Sequence, residues 1–240
     1  MEKIYGKHSV NAVFRTRPRA VRRMILLDGR KSSLNEAYIE HAHRHKIQPE
    51  TLPRDKFLRA TDLTEDDKHQ GICIFAEPRT IYGEKDLEVL RKGRVILALD
   101  QVSNPQNLGT MLRNAAFFGA DAVILLRNRS TDITPTVTRV AVGAAEFVKI
   151  FKVINLARSL DALKKIGFWV YGLDESGQKT LAETDFDEKT VFVVGAEGEG
   201  LRLRTKKFCD ELVRIPGGQH GIESLNAGVA TAVALAEFFR

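Results

Sequence analysis

Three consecutive stretches near the end of the chain decide the fold: VVGAEGEGL at Val193–Leu201, RIPGGQHGIESLN at Arg214–Asn226, and AGVATAVALAEFF at Ala227–Phe239. The first is typical of a buried strand that runs into a glycine turn, and the second of a short strand that runs into a loop of glycines and polar groups. The third predicts a long helix. Two strand ends that open into glycine loops make a crevice in which backbone N–H and C=O groups are free to bind a ligand. We therefore expect a cofactor-type site in this part of the chain.

Upstream of these stretches, short apolar strands alternate with helices from Arg94 onward. Val95–Leu99 and Ala122–Leu126 are predicted strands, and Asn104-Pro105 begins a predicted helix between them. This alternation predicts an α/β fold with a mostly parallel sheet that is covered on both faces. We expect a small α/β domain at 1–78, a polar linker at 79–92 and the larger domain at 93–240.

The composition is that of a globular protein, and its positive charge suggests a polyanionic partner; the alternative is a basic surface that is merely solvated. The chain has 240 residues, of which 43% are hydrophobic, and a net charge of +6. No apolar run reaches the roughly 18 residues that a membrane helix needs, and the first residues lack the apolar core of a signal peptide. Cys73 and Cys209 lie far apart and fit a reducing compartment. We expect a cytoplasmic protein without a membrane segment.

The helix that begins at Asn104 carries two candidate functional side chains, Asn107 and Arg113. Six residues apart, they are rotated by about 240° on a helix and do not share a face. We place Asn107 in the loop and cap, and Arg113 on the helix. A helix N-terminus can bind a phosphate, which suits a nucleic acid; the alternative is that these residues only cap the helix and face solvent.

Four other kinds of site are weighed against the sequence and rejected. The turn GAEGEG has the spacing G-x-x-G-x-G, which differs from that of a dinucleotide loop, and no Gly-Lys-Ser/Thr follows as in a P-loop. Ser224 lacks the G-x-S-x-G elbow of a hydrolase, and His220 and Glu223 are the only nearby candidates for its catalytic partners. Capping the last helix is the simpler role for this serine. His41 and His45 lack accompanying ligands, so we predict no metal site.

Three motifs in order identify a family. N-x-G-x-x-x-R (Asn107 to Arg113), G-x-E-G-x-G-L (Gly195 to Leu201) and I-P…S-L-N (Ile215 to Asn226) together resemble the SpoU branch of the SPOUT RNA methyltransferases. IYGKHSVNAV and HQGI in the first domain are similar to segments of the two-domain rRNA ribose methyltransferases of this branch. The resemblance spans nearly the whole chain. It implies an L30e-like RNA-binding domain, a C-terminal domain with a deep trefoil knot, and a homodimer formed through that domain.

The resemblance also implies an activity: transfer of a methyl group from S-adenosylmethionine to a ribose 2′-OH, in rRNA rather than tRNA. By motif matching, Gly195, Ile215 and Leu225 would line the cofactor pocket. The catalytic and adjacent positions would be Asn107, Arg113, Glu197, Ser224 and Asn226. An arginine is a poor base at neutral pH, so we expect Arg113 to hold a phosphate and stabilise the developing alkoxide.

Two departures from the family pattern leave alternatives open. The loop from Pro216 to Ser224 is one residue longer than usual, and Ala227-Gly228 stands where Val-Ser is common. A non-catalytic RNA-binding or ribosome-assembly protein is one alternative, and a tRNA ribose methyltransferase is another. In each case the salt-dependent RNA affinity is expected to come from arginines of the first domain. These are Arg15, Arg17, Arg19, Arg22 and Arg23.

Overall fold

The computed structural model describes residues 1–29, 32–217 and 224–240, and for 32–35 it describes the backbone alone. The chain divides into two compact units by its internal contacts. Unit 1 contains residues 1–79 and 133–147, and unit 2 contains 80–132 and 148–240. Among the described residues, no helix is both long enough and apolar enough to cross a membrane.

Unit 1 is built on a four-stranded sheet in the order β1-β4-β2-β3. Strand β4 pairs antiparallel with β1 and β2, and β2 pairs parallel with β3. Successive residues of β2 enter different apolar clusters, Met24 on one face and Ile25 on the other, as the two-residue period of a strand requires. The elements are β1 (Glu2–Tyr5), α1 (Lys7–Thr16), β2 (Val21–Leu27), α2 (Ser32–Arg44), β3 (Pro49–Leu52), α3 (Arg54–Thr61) and β4 (Ile72–Ala76).

Unit 2 is built on an eight-stranded sheet in the order β10-β12-β9-β11-β6-β7-β8-β5, in which every paired neighbour is parallel. The central strands are fully buried, and β-branched residues dominate them, as expected for strands covered on both faces. The predicted parallel α/β fold is confirmed. The elements from residue 80 onward, with α5 belonging to unit 1, are β5 (Ile81–Tyr82), β6 (Val95–Leu99), α4 (Pro105–Phe118), β7 (Ala122–Leu126), α5 (Pro135–Val140), β8 (Lys149–Val153), α6 (Leu156–Lys165), β9 (Trp169–Leu173), β10 (Lys179–Thr180), β11 (Thr190–Val194), α7 (Leu203–Lys206), β12 (Glu211–Arg214) and α8 (Ala227–Phe238).

The segment 79–92, expected as a polar linker, contains regular structure. Ile81 and Tyr82 form β5, which pairs with β8 at the edge of the large sheet. A 3₁₀ helix follows at Glu84–Lys92 and buries Leu87 and Leu90. Those leucines are three residues apart, which matches the three-residue turn of a 3₁₀ helix.

The segment 133–147 lies inside the range expected for the second domain, yet it packs within unit 1. A Cβ on Gly143 would lie 2.6 Å from the Cβ of Ala12, so the two backbones approach too closely for a larger residue. Helix α5 in this segment ends at Val140, because Val142 and Gly143 adopt left-handed backbone conformations.

The large sheet places the functional loops along one edge. Because β12, β9, β11, β6 and β7 are neighbouring parallel strands, their carboxyl ends lie at the same edge. In open α/β sheets this is the edge at which ligands bind.

Candidate functional site

The loop after β11 is a tight glycine turn. The Gly200 amide donates to the Ala196 carbonyl at 3.0 Å, and both Gly198 and Gly200 have positive φ angles, of 85° and 63°. A Cβ on Gly195 would lie 2.1 Å from the carbonyl carbon of Gly200. Glycine is therefore required at these positions, and the turn presents backbone groups and the side chain of Glu197 at the edge of the sheet.

A buried ion pair fixes the far end of this turn. Asp100 follows β6 and is 1% exposed, and its Oδ1 accepts a hydrogen bond of 2.8 Å from Nε of Arg202. The Asp100 carboxylate also accepts from the Arg202 backbone amide at 3.3 Å. Moving the β11 loop away from the end of β6 would leave the buried Asp100 carboxylate without its partner, which costs free energy. The ion pair therefore holds the loop against the end of β6.

Three side chains from distant parts of the chain form a hydrogen-bonded series, which we call the amide chain. Asn107 Nδ2 donates to Glu197 Oε2 at 2.8 Å, and Asn226 Nδ2 donates to Asn107 Oδ1 at 2.9 Å. Asn226 Oδ1 in turn accepts from the backbone amides of Gly228 and Val229 at the start of α8. A carboxylate only accepts, so the whole series runs in one direction and fixes the orientation of both amides.

The first cavity has a volume of about 590 Å³ and is formed by the loops that follow β9, β11 and β12. Its wall combines apolar side chains with the backbone of the glycine turn, and this size and lining are typical of small-molecule sites. Asp174 in the wall pairs with Lys206 at 2.7 Å. Burial by itself would raise the pKa of Asp174, but hydrogen bonds from Lys206 and Ser176 hold that pKa below its usual value.

The second cavity adjoins the first and has a volume of about 530 Å³. It is formed by residues that follow β6, β7 and β11, and Ala196, Glu197 and Glu199 belong to the walls of both cavities. The loop after β11 therefore separates two adjacent spaces along the edge of the sheet.

Comparison with known families assigns both parts of the chain. Residues 94–236 match the sequence model of the SpoU rRNA Methylase family, and residues 3–82 match that for RNA 2′-O ribose methyltransferase substrate binding. The chain belongs to the SpoU rRNA methylase family. It is accordingly an RNA 2′-O-methyltransferase, and the predicted family is confirmed.

Full-length relatives agree with this assignment. The SpoU methylase is 39% identical to the 23S rRNA (guanosine-2′-O-)-methyltransferase RlmB of Pseudomonas aeruginosa, over 100% of this chain and 96% of the relative. It is 37% identical to the RlmB of Bordetella pertussis, over 98% of this chain and 95% of the relative. A solved structure of the SpoU methyltransferase AviRb from Streptomyces viridochromogenes, in complex with the cofactor AdoMet, shares the fold with a TM-score of 0.77. That likeness extends over 98% of this chain and 88% of the other, at 20% identity.

The structure of the SpoU methylase brings most of the predicted site residues together. The three residues predicted to bind cofactor, Gly195, Ile215 and Leu225, all lie in the wall of the first cavity. Glu197 and Ser224 lie in the same wall, and the amide chain joins Glu197 to Asn107 and Asn226. The roles assigned to these residues remain predictions. His220 and Glu223, weighed as partners of Ser224, lie outside the described residues.

Arg113 is the exception, since it lines neither cavity. Its side chain is exposed on α4, and among the described residues it has no hydrogen-bond or ion-pair partner. Phe117, four residues later on the same helix, is 82% exposed. Residues four apart lie on one face of a helix, so Arg113 shares its face with a large exposed aromatic ring.

Two expectations about helix ends were wrong. Asn107 lies in the first turn of α4, because Asn104 is the cap and its side chain accepts from the Gln106 amide. The cap of α8 is Asn226 and not Ser224, since the Asn226 side chain accepts from the first amides of that helix. The second error arises because Ser and Asn are equally good caps. The first arises because Asn104 and Asn107 are the same residue type, so residue preference does not show which of them bonds the helix amides.

The expected RNA-binding arginines are not all free. Arg17 pairs with Glu2 at 2.6 Å and with Glu146 at 2.7 Å, and its side chain is mostly buried. Arg22 pairs with Glu77 and Arg23 with Glu50. Arg15 and Arg19 are exposed, and neither has an ion-pair partner within the described parts of the chain. These two remain candidates for phosphate contacts.

Sequence reasoning missed the pair of Asp100 and Arg202. The available signal was an aspartate directly after the fully apolar strand VILAL, at a position where a charge is buried only if it is paired. Its partner, 102 residues away, could not be read from local sequence.

Proposed function

We propose that this SpoU methylase transfers the methyl group of S-adenosylmethionine to the ribose 2′-OH of a guanosine in 23S rRNA. The observation that carries the proposal is the amide chain, which joins three motifs of the family beside the first cavity. The RNA and the nucleoside follow from the full-length relatives, whose names specify guanosine in 23S rRNA. Family membership and these relatives support an enzyme over a non-catalytic assembly protein.

The first cavity is the donor site. Adenine requires apolar walls and backbone hydrogen bonds, and the wall contains Leu173, Ile215 and Leu225 together with the backbone of the glycine turn. Bound S-adenosylmethionine supplies an electrophilic methyl group on a positively charged sulfur. The carboxylate of Glu197 favours that charge, and AviRb, which shares the fold, was solved with AdoMet bound.

Transfer would form a bond between the ribose O2′ and the methyl carbon and break the bond from that carbon to sulfur, which leaves neutral S-adenosylhomocysteine. The hydroxyl proton would pass to water. The chain must align the oxygen with the methyl group and stabilise the charge that develops on the oxygen. The amide chain holds Glu197 in place at the junction of the two cavities, where it orients the ribose. Ser224 lies in the wall of the first cavity, and its hydroxyl can hydrogen-bond the ribose.

Arg113 takes part in RNA binding when two copies of the protein form a homodimer. Its face of α4 carries Phe117. The neighbouring α8 exposes Val229 and Val233, and Phe239, which follows that helix, is also exposed. Exposed apolar surface of this kind is characteristic of obligate homodimer interfaces. A second copy that covers this face places Arg113 at the interface, where its guanidinium binds a phosphate of the RNA.

The remaining family features complete the proposal. Residues 1–78 bind RNA as an L30e-like domain, and 93–240 carry the methyltransferase activity. Residues 80–92 add β5 and a 3₁₀ helix to the unit that contains the large sheet. We infer that the methyltransferase domain at 93–240 also contains the deep trefoil knot that the family resemblance implies. Because the substrate is ribosomal RNA, the enzyme works in the cytoplasm.

The test is site mapping on defined RNA. Purified protein and S-adenosylmethionine are incubated with 23S rRNA, 16S rRNA and tRNA from cells that lack the gene, and 2′-O-methyl positions are mapped before and after. We expect one new 2′-O-methylguanosine in 23S rRNA. Methylation of tRNA alone, methylation of a base, or no transfer to any of the three RNAs would contradict the proposal.

A further inference from the structure

The wall of the second cavity includes polar groups without a partner in the described parts of the chain. Within those parts, Ser130 Oγ is buried and has no hydrogen-bond partner, and Arg129 is exposed. Among the described residues, neither Arg129 nor Glu199 has an ion-pair or hydrogen-bond partner. A buried hydroxyl without a partner costs free energy unless a ligand or water satisfies it.

Two residues at the cavity wall hold strained backbone. Gln101 and Arg129 have φ angles of 62° and 63°, in the left-handed region that residues with a Cβ rarely adopt. The Thr131 amide donates to the Val102 carbonyl at 3.0 Å and so ties the two loops together. Such strain clusters at ligand sites, because the surrounding structure must hold it in place.

The charge of the cavity restricts what can lie in it. Glu197 and Glu199 both face it, and carboxylates repel the phosphates of RNA. A group that enters must therefore present hydrogen-bond donors to them. Glu197 already accepts from Asn107 at 2.8 Å, whereas Glu199 has no partner among residues 1–29, 32–217 and 224–240 and can accept from a ligand.

Guanine is the RNA base that meets this requirement. Its N1–H and 2-amino groups are adjacent donors, which match the two oxygens of one carboxylate, while O6 and N7 accept from a guanidinium or a hydroxyl. Adenine and cytosine present a ring nitrogen acceptor at the corresponding position and would face the carboxylate with an unfavourable contact. Arg129 and Ser130, which also line this cavity, supply such donors.

We propose that the second cavity holds the target nucleoside and that the Glu199 carboxylate selects guanine by accepting from its Watson–Crick edge. The proposal rests on the function proposed above, and it assigns the two cavities to the two substrates. The methyl donor lies over β12, β9 and β11, the acceptor lies over β11, β6 and β7, and the loop after β11 lies between them.

The test combines a variant of the protein with a variant of the RNA. Synthetic fragments of the RNA carry guanosine, inosine or adenosine at the nucleotide that the wild-type protein methylates. Inosine lacks only the 2-amino group, so we expect wild-type kcat/KM to fall about tenfold, and much further with adenosine. Glu199→Gln should lower kcat/KM on guanosine by roughly tenfold to a hundredfold and remove the preference for guanosine over inosine.

Controls separate base selection from donor binding. Glu188→Gln changes another exposed glutamate of unit 2, which lines neither cavity, and should leave both the rate and the preference unchanged. Calorimetric titration of Glu199→Gln with S-adenosylmethionine should give a Kd within about twofold of wild type. A Kd that rises in step with the loss of activity would assign Glu199 to the donor, and an unchanged guanosine preference in the variant would also overturn the proposal.

Failure of this inference is distinguishable from failure of the proposed function. If the wild-type protein methylates a nucleotide other than guanosine, or guanosine and adenosine equally, base selection by Glu199 is wrong while ribose methylation stands. If the wild-type protein methylates no RNA, the proposed function itself fails.

Discussion

Asn107 connects segments that are 90 and 119 residues away in the sequence. It is 5% exposed, and both ends of its amide are used, one by Glu197 and one by Asn226. An aspartate at this position would place two carboxylates in contact, and an alanine would leave Glu197 without its donor. The amide is therefore the side chain that this position requires.

We expect Asn107→Ala to lower kcat for methyl transfer roughly tenfold to a hundredfold, because loss of a hydrogen bond to a charged group frees Glu197 to move. The Kd for S-adenosylmethionine should change by less than about threefold. Asn114→Ala is the matched control, since Asn114 on the same helix donates to the Gly228 carbonyl at 2.8 Å and lines neither cavity. Equal losses in single-turnover assays of the two variants would show that Asn107 acts only through packing of α4 against α8.

Cysteine chemistry has no part in this site. Burial raises the pKa of Cys73 and of Cys209 to about 12 in each case. Because the thiolate is the reactive form, both side chains behave as small apolar groups near neutral pH. This agrees with the absence of a CxxC pair in the sequence.

At the scale of secondary structure, helices α4 and α8 carry an exposed apolar face. Phe118 lies between Phe117 and Phe239, with ring centroids 5.0 Å and 6.4 Å away. The aromatic surface is thus continuous across both helices. Since Arg113 lies on this face of α4, dimer formation and catalysis are expected to be lost together.

We expect Phe117→Lys to convert a dimer into a monomer, because a desolvated lysine ammonium cannot be accommodated in an apolar interface. Sedimentation velocity at micromolar concentration is the measurement, and methyl transfer should fall in parallel. Ile154→Lys is the control: Ile154 is 66% exposed in unit 2, outside α4 and α8. A Phe117→Lys variant that remains a dimer with full activity would rule out this face as the interface.

The sequence predicted the elements of the large sheet closely, for a physical reason. Val95–Leu99 and Ala122–Leu126 are short runs of β-branched and aliphatic residues between helix signals, and both strands were found at the predicted residues. The linker was predicted less well, because the pairing of Ile81 with a strand almost 70 residues later leaves no local signal.

The site was predictable only where motif spacing carried information. Gly195, Ile215 and Leu225 were grouped by resemblance, and the structure places them around one cavity. The amide chain and the pair of Asp100 with Arg202 depend on contacts made after folding, so no local pattern reveals them. The second cavity was missed for the same reason, since its walls come from three separate loops.

At the scale of the whole molecule, features associated with RNA binding and the two cavities lie in different units. Unit 1 contains the substrate-binding match and the exposed Arg15 and Arg19, while unit 2 contains both cavities. The ion pairs of Arg17 with Glu2 and Glu146 stabilise unit 1, and the second of them anchors the segment 133–147 to the rest of that unit. Salt-dependent RNA affinity should accordingly depend on a few exposed arginines and not on the total charge.

The most direct measurement is a crystal structure of the protein with S-adenosylmethionine bound. We expect the donor in the first cavity, with adenine against Ile215 and Leu225 and the sulfonium methyl group directed toward Glu197 and the second cavity. A donor bound elsewhere, or bound with its methyl group facing away from Glu197, would contradict the account.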